Sequence, residues 1–333
     1  MSSRAGTPHL PVIDLSIADH ERDSVAAQID EAASEYGFFY VTGHGVSAHT
    51  IDSILDLSRA FFQLPAEIKN RLHMSRGGRA WRGYFPVGGE LTSGRPDLKE
   101  GIYFGEELSD DDARVRAGMP LHGRNLFPDI PGFREAVLDY MGALTRLSHQ
   151  LMSLVGRGLG AGDDYFIHRY TAAPTLLFRI FNYPSSPQPS ADSRGVGEHT
   201  DYGLLTLLYQ DEVGGLQVKH SSSWLDVPFI PGSFVINLGD MLERLTSGRY
   251  TSALHRVINA SGRSRISMPF FFDPSFDAVL EPIPGVGPAV PRQGLIERWD
   301  GADLRELRGT YGDYLIGKVS KVFPELGRDH LRT

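Results

Sequence analysis

The C-terminal half of the chain contains a succession of short β-like segments with no helical segment between them, and this feature limits the possible folds most. Gly, Pro, Asp and Ser separate the segments, which are Leu176–Tyr183, Leu204–Tyr209, Leu216–Val218, Trp224–Val227, Phe234–Leu238, Leu254–Asn259 and Arg265–Phe272. Many short strands without intervening helices are typical of β-sandwiches and barrels of the jelly-roll kind. The pattern therefore predicts a β core between residues 170 and 285.

The N-terminal part of the chain has a different, mostly helical pattern. Apolar residues recur every three or four positions in three stretches, which predicts helices over Asp19–Tyr36, Ser47–Leu64 and Pro131–Leu159. Strands are expected at Leu10–Leu15 and Phe38–Val41, a long loop or irregular hairpin at Arg76–Asp97, and a low-complexity loop at Ser185–Val196. We expect a single unit over 1–333, with an N-terminal region (1–130), a long supporting helix (131–165), the β core (170–285) and a C-terminal covering segment (286–333).

Composition excludes several classes of function. The 333 residues carry a net charge of −8, which disfavours a nucleic-acid partner, and no cysteine, which excludes disulfides, thiolate metal sites and a cysteine nucleophile. The polar N-terminus has no apolar signal segment, and no run of 18 apolar residues predicts a membrane helix. We therefore expect a cytoplasmic protein with a small-molecule substrate and no membrane or obligate protein partner.

Three residues form a candidate metal site. His199 and Asp201 open a strand-like segment, and residues two apart on a strand point to the same face, so both side chains can aim at one point. His255, in a later β-like run, supplies a third ligand. Two His and one carboxylate form the facial triad of non-haem Fe(II) oxygenases, which leaves positions open for a cosubstrate and O2. A His-x-Asp pair also arises by chance in many chains.

A second pattern ten residues after His255 suggests an anion site. Arg265 and Ser267 are two apart on one strand, and a guanidinium and a hydroxyl can bind the same carboxylate. An arginine within an apolar run is costly unless it meets an anion. That anion is either a bound carboxylate ligand or an internal Asp or Glu.

Together these motifs resemble the Fe(II)/2-oxoglutarate-dependent dioxygenases, in the isopenicillin N synthase-like branch. The resemblance covers nearly the whole chain. Its segments are Pro11–Leu15, Gly37–Gly45, His199–Thr206, Gly214–Val218, Pro231–Val235 and Asn237–Asp240. It implies a mainly β protein with flanking helices, whose core is a distorted jelly-roll (double-stranded β-helix) with Fe(II) at one open end. Residues 1–130 then correspond to the N-terminal dioxygenase region of that family.

The resemblance also assigns roles at the site. It implies Fe(II) on His199, Asp201 and His255, and 2-oxoglutarate held by Arg265 and Ser267, with help from Tyr183 before a proline. The implied reaction consumes 2-oxoglutarate and O2, releases succinate and CO2, and is metal-centred with no separate acid or base. Ascorbate is a possible stimulant in this family.

The substrate residues rest on a narrower resemblance. Glu90 and Thr92 match the Glu-x-Thr segment with which ethylene-forming enzymes hold an arginine, and Arg179 and Tyr202 also match those enzymes. Tyr183 departs from them, which favours plain hydroxylation, as in homoarginine hydroxylases. A buried guanidinium needs a carboxylate such as Glu90. Glu90 is otherwise an ordinary solvated loop acid.

The sequence thus predicts hydroxylation of a free guanidino or cationic amino acid, L-homoarginine or L-arginine. Several alternatives stay open. They are an isopenicillin N synthase-type oxidase that does not use 2-oxoglutarate, an ethylene-forming activity, a zinc hydrolase on the same three ligands, and a non-catalytic small-molecule binding protein. Turnover of 2-oxoglutarate to succinate separates the leading prediction from the isopenicillin N synthase-type oxidase.

Overall fold

The computed structural model describes residues 9–92, 94–185, 194–287, 298, 301 and 303–324. Its N-terminal half mixes helices with short strands, in the order β1 (Val12–Asp14), α1 (Arg22–Glu35), β2 (Phe38–Thr42), α2 (Ala48–Phe62), α3 (Ala66–Asn70), β3 (Gly83–Phe85), β4 (Leu91–Thr92), β5 (Arg95–Pro96), β6 (Glu100–Gly105), α4 (Ala113–Arg116), α5 (Phe133–Gly158) and α6 (Tyr165–Arg169). The predicted N-terminal helices and strands are therefore present, with ends shifted by a few residues.

The C-terminal half is dominated by strands. They are β7 (Pro174–Tyr183), β8 (Arg194–His199), β9 (Leu205–Gln210), β10 (Leu216–His220), β11 (Ser223–Val227), β12 (Phe234–Leu238), β13 (His255–Ile258) and β14 (Arg265–Ser275), with helix α7 (Asp240–Leu245) after β12 and helix α8 (Tyr311–Val322) near the end. The prediction of successive strands over residues 176–272 is confirmed, apart from the short α7.

Two sheets build the core. Among the described residues, eight strands form the larger sheet in the order β1-β2-β12-β9-β14-β7-β6-β3, and four form the smaller sheet in the order β11-β10-β13-β8. Strands far apart in sequence are neighbours, as in a jelly-roll, where the chain alternates between two facing sheets. The predicted fold class, a mainly β jelly-roll with flanking helices, is confirmed.

The long helix α5 supports the larger sheet because its apolar residues recur on one face. Val137, Met141, Leu144, Leu151 and Val155 are all buried, and α5 contacts both β9 and β14. Burial of a side chain of this size contributes about 1.5–3 kcal/mol. Helix α5 therefore holds the sheet that carries Arg265, while its polar face remains in solvent.

Two predicted loops contain regular structure. Within 76–97 the chain forms β3, which pairs with β6, and then β4 and β5, which pair with each other, so this stretch has the irregular-hairpin form of the prediction. The predicted loop Ser185–Val196 overlaps β8 from Arg194 onward, and residues 186–193 lie outside the described part of the chain. The sequence did not predict β8, because Gly195 and Gly197 give this segment a low β-propensity and a composition typical of loops. In the described residues, no helix is both long and apolar enough to cross a membrane.

Candidate active site

His199 and His255 meet because they are paired across two antiparallel strands. His199 on β8 lies directly opposite His255 on β13, and their ring centroids are 4.2 Å apart. Oδ1 of Asp201 is 3.8 Å from Nε2 of His199 and 3.7 Å from Nε2 of His255. One ligand atom from each residue lies within 4.8 Å of the other two. The structure thus brings the three predicted metal residues to one point.

His199 and Asp201 come together through a turn of the backbone, not through the shared strand face that the sequence predicted. His199 is the last residue of β8, and Asp201 lies beyond it in the connection to β9, so the two do not share a strand face. The carbonyl of Asp201 accepts a hydrogen bond of 2.8 Å from the amide of Asp240, at the start of α7. This contact holds the turn that directs Asp201 back towards the histidines. The strand-face argument for this pair was wrong, although the side chains meet.

Hydrogen bonds orient both imidazoles. Nδ1 of His199 lies 2.8 Å from the carbonyl of Gly197, and Nδ1 of His255 lies 3.1 Å from the carbonyl of Ala253. Because a carbonyl oxygen only accepts, each Nδ1 carries the hydrogen and each Nε2 presents a lone pair. A backbone carbonyl on the second ring nitrogen is the usual support of a metal-binding histidine. Burial and His255 lower the pKa of His199 to about 3, which keeps its imidazole neutral.

Hydrogen bonds to one carboxylate oxygen of Asp201 orient the other oxygen towards the metal position. Oδ2 accepts hydrogen bonds from Oγ1 of Thr206 at 2.5 Å and from Nδ2 of Asn237 at 2.6 Å, so Oδ1 remains for the metal. Burial alone would raise the pKa of Asp201, but His255, His199 and these two donors outweigh it and lower the pKa. Sequence reasoning missed Thr206 and Asn237, although both lie in segments that carried the family resemblance. The donor set, two imidazoles and one carboxylate with an open side, fits Fe(II).

Arg265 is a fully buried cation with an unused donor. Its Nε donates to the carbonyl of Gly214 at 2.5 Å and its Nη2 to Oε1 of Gln210 at 3.1 Å, while its Nη1 is buried without a partner. In the described residues no carboxylate forms an ion pair with it, which disfavours a structural ion pair. An unsatisfied buried donor costs about 1–3 kcal/mol, and more if charged. A ligand carboxylate reaching Nη1 would remove this cost.

Ser267 and Tyr183 lie beside Arg265. Arg265 is paired with Tyr183 across β14 and β7, and its guanidinium stacks 4.7 Å from the Tyr183 ring centre. The hydroxyl of Ser267 donates to that of Tyr183 at 3.4 Å. These three residues and the His–Asp–His group line one cavity with about 770 Å³ of empty space, open mouth included. The metal residues and the carboxylate-binding residues therefore share one concave site.

The predicted substrate residues also reach this cavity, which is lined by Glu90, Thr92, Arg179 and Tyr202. Glu90 is only 3% exposed, so it is not a solvated loop acid. Its Oε1 accepts from the hydroxyl of Tyr103 at 2.6 Å and lies 3.3 Å from Nη1 of Arg179. Its Oε2 lies 2.7 Å from Nζ of Lys99, a residue that the sequence analysis did not identify.

Comparisons with known proteins agree with this architecture. Residues 10–130 match the family described as "non-haem dioxygenase in morphine synthesis N-terminal", and residues 166–274 match the 2OG-Fe(II) oxygenase superfamily. A "Probable iron/ascorbate oxidoreductase" of Dictyostelium discoideum is 45% identical over 95% of each chain. A 1-aminocyclopropane-1-carboxylate oxidase of the same organism is 39% identical over 95% of each chain. A homoarginine-6-hydroxylase of Oryza sativa subsp. japonica is 35% identical over 93% of this chain and 96% of its own.

Solved structures give the same result. Neurospora crassa T7H in complex with alpha-KG and thymine superposes with a TM-score of 0.77 at 26% identity, covering 93% of this chain and 96% of its own. JOX2 in complex with 2OG, Fe and JA gives a TM-score of 0.73 at 25% identity, covering 97% and 89%. The fold and the site together define a non-haem iron oxygenase with a jelly-roll core. The chain belongs to the 2OG-Fe(II) oxygenase superfamily.

Proposed function

We propose that this protein is a 2-oxoglutarate-dependent hydroxylase in which His199, Asp201 and His255 hold Fe(II). Arg265 and Ser267, with Tyr183, bind the distal carboxylate of 2-oxoglutarate. The observation that carries this assignment is the unpartnered Nη1 of buried Arg265, which lines the same cavity as the three metal residues. In the reaction, 2-oxoglutarate, O2 and a substrate C–H bond give succinate, CO2 and the hydroxylated product.

Fe(II) held by His199, Asp201 and His255 would supply the oxidising chemistry. The protein's own residues hold the reactants in place and keep water out. Thr206 and Asn237 fix the Asp201 carboxylate, and the buried aromatic Phe38 packs against the ring of His255. None of the other cavity residues is needed as a separate acid or base. We therefore assign the chemical step to the metal alone.

We further propose that the substrate is a free guanidino amino acid, L-homoarginine or L-arginine. Buried Glu90 supplies a negative charge in the cavity, and burial, which would raise its pKa, is outweighed by Lys99 and Arg179, so its pKa is lowered. A carboxylate has about four acceptor sites. Tyr103, Arg179 and Lys99 use three of them, which leaves one on Oε2 for a substrate cation. Several relatives named homoarginine-6-hydroxylase support this choice.

A second candidate function is oxidation of a small amino acid without 2-oxoglutarate. The 39% identity to the Dictyostelium 1-aminocyclopropane-1-carboxylate oxidase favours it, since this value exceeds the identity to the homoarginine hydroxylases. Both candidates act on a free amino acid at the same metal. They differ in the demand for 2-oxoglutarate, so the turnover of 2-oxoglutarate to succinate distinguishes them.

The proposal is tested with protein purified without oxygen and supplied with Fe(II), 2-oxoglutarate and O2. Each of L-homoarginine, L-arginine, L-lysine and a neutral amino acid is added separately, and products are identified by mass spectrometry. The proposal expects a guanidino amino acid to gain one oxygen atom. If succinate forms but no amino acid stimulates its formation, the proposed substrate class is wrong. Ethylene from 1-aminocyclopropane-1-carboxylate without 2-oxoglutarate would favour the second candidate, and ethylene from 2-oxoglutarate would indicate an ethylene-forming activity.

A further inference from the structure

Three charged side chains, those of Glu90, Lys99 and Arg179, line one wall of the cavity outside the metal and 2-oxoglutarate residues, and the buried Asp97 contacts this group through Lys99. Glu90 and Asp97 are 3% exposed, Lys99 is 1% exposed, and the side chain of Arg179 is 14% exposed. Nζ of Lys99 contacts Oε2 of Glu90 at 2.7 Å and also Oδ2 of Asp97. The two acids and two cations are thus paired with one another before substrate binds.

Lys99 occupies the space between the two carboxylates. It immediately precedes β6, and its ammonium also lies 4.8 Å from the ring centre of Phe181. Thr92 donates to Oδ2 of Asp97 at 2.6 Å, and the amide of Gly197 donates to Oδ1 of Asp97 at 3.4 Å. These contacts keep Asp97 in place, so the pair of carboxylates is a preformed site for an ammonium group.

The two cations differ in the space that they leave for a ligand. The Arg179 guanidinium stacks between the rings of Tyr103 and Phe271, at 4.3 and 4.8 Å, and reaches Glu90 only by the longer 3.3 Å contact. The ammonium group of Lys99 forms direct ion pairs with both Glu90 and Asp97. An ammonium is compact and strongly hydrated, whereas a guanidinium is planar and weakly hydrated, so the two groups do not compete equally for a position between these carboxylates. The ammonium position is filled from within the protein.

We propose that Lys99 determines substrate specificity by filling the ammonium position between Glu90 and Asp97, which excludes ammonium side chains and leaves Glu90 to a guanidinium. This inference rests on the proposed function and extends it. A lysine-like substrate would have to displace Lys99 from both carboxylates. A guanidinium needs only the remaining acceptor on Glu90 and can share that carboxylate with Lys99.

The test compares kcat/KM for L-homoarginine and L-lysine in the wild type, Lys99→Ala and Lys99→Met. Lys99→Ala opens the ammonium position, and we expect the preference for the guanidino substrate to fall at least tenfold. Added propylamine, which replaces the missing side chain, restores the preference. Lys99→Met fills the space without a charge and keeps the preference within about threefold of the wild type.

Lys69→Ala is the matched control because Lys69 is also buried in an ion pair, with Glu100 at 2.7 Å, but does not line the cavity. It loses stability without a change in preference. An unchanged preference in Lys99→Ala, or an equal change in Lys99→Met, overturns the inference while the proposed function stands. A wild type that binds neither amino acid, measured by calorimetry with Zn(II) and 2-oxoglutarate present, overturns the proposed substrate itself.

Discussion

The side-chain amide of Asn237 donates a hydrogen bond of 2.6 Å to Oδ2 of Asp201. Asn237 lies in the interior of the larger sheet, on β12, whereas Asp201 lies in the connection after β8 of the smaller sheet. The bond therefore links the two sheets at the metal residue. It also turns Oδ1 towards His199 and His255.

Replacing Asn237 with Ala is expected to lower Fe(II) affinity on the order of 10–100-fold, since hydrogen-bond partners of ligands have effects of this size. The substitution removes one of the two donors to Oδ2, leaves that of Thr206, and gives the carboxylate more freedom to rotate. Titration of the metal-free protein with Fe(II) under anaerobic conditions measures the change. Asn182→Ala is the control, because Asn182 donates to Glu100 away from the metal residues. Equal affinities in Asn237→Ala and wild type would contradict the role of this bond.

Replacing Arg265 with Met is expected to raise the KM for 2-oxoglutarate about 10–100-fold, because a hydrogen bond to a charged group contributes about 1.5–3 kcal/mol. Ser267→Ala removes one neutral donor and has a smaller effect, of a few-fold. Steady-state succinate formation at varied 2-oxoglutarate concentration gives both values. A KM that does not change in Arg265→Met would show that the cosubstrate carboxylate binds elsewhere.

Glu90→Gln is expected to weaken binding of the guanidino amino acid roughly 10–100-fold, since the charge-assisted contact becomes a neutral one. The substitution is isosteric, so the cavity keeps its shape. Glu100→Gln makes the same change in a buried acid that pairs with Lys69 instead. Substrate titration of both variants distinguishes a specific loss from general destabilisation. If both variants bind the amino acid as the wild type does, Glu90 is not its partner.

The pH dependence of the protein's stability is expected to arise in part from Asp273. Burial raises the pKa of this carboxyl to about 7, even though the hydroxyl of Tyr311 donates to it. Because the pKa of Asp273 in the folded state lies above its ordinary value of 3.8, the folded state binds the proton more strongly, and stability from this group falls as the pH rises from about 4 to 7. The slope is about 1.4 kcal/mol per pH unit in that window.

Asp273→Asn removes this dependence. Urea unfolding at pH 5 and pH 8 is therefore expected to show a smaller loss of stability on raising the pH than in the wild type. The amide still accepts from Tyr311, so the contact with α8 is retained. A pH dependence identical to that of the wild type would mean that Asp273 does not titrate as stated.

The sequence predicted those parts of the site that depend on local spacing. His199-x-Asp201 and Arg265-x-Ser267 are short motifs, and the fold class follows from the repeated short strands. The pairing of His199 with His255 depends on the register of β8 and β13, which short-range patterns do not determine. The strand β8 was missed for the same reason, since its contacts with β13 override the weak β propensity of its glycines.

Burial of charged loop residues was the hardest property to predict. Glu90, Asp97 and Lys99 lie in a Gly- and Pro-rich stretch that is typical of exposed loops, and base rates place such residues at the surface. They are buried where β4 contacts α8 and β8, and the opposite charges pair there. Asn237 was missed for a different reason, because its partner Asp201 lies far away in the sequence.

The most direct test of the account measures succinate and hydroxylated amino acid together in one reaction with Fe(II), 2-oxoglutarate, O2 and L-homoarginine or L-arginine. The account predicts one succinate for each hydroxylated molecule, with neither product formed by His255→Ala. Consumption of the amino acid without succinate, or succinate formation that neither amino acid changes, would contradict it.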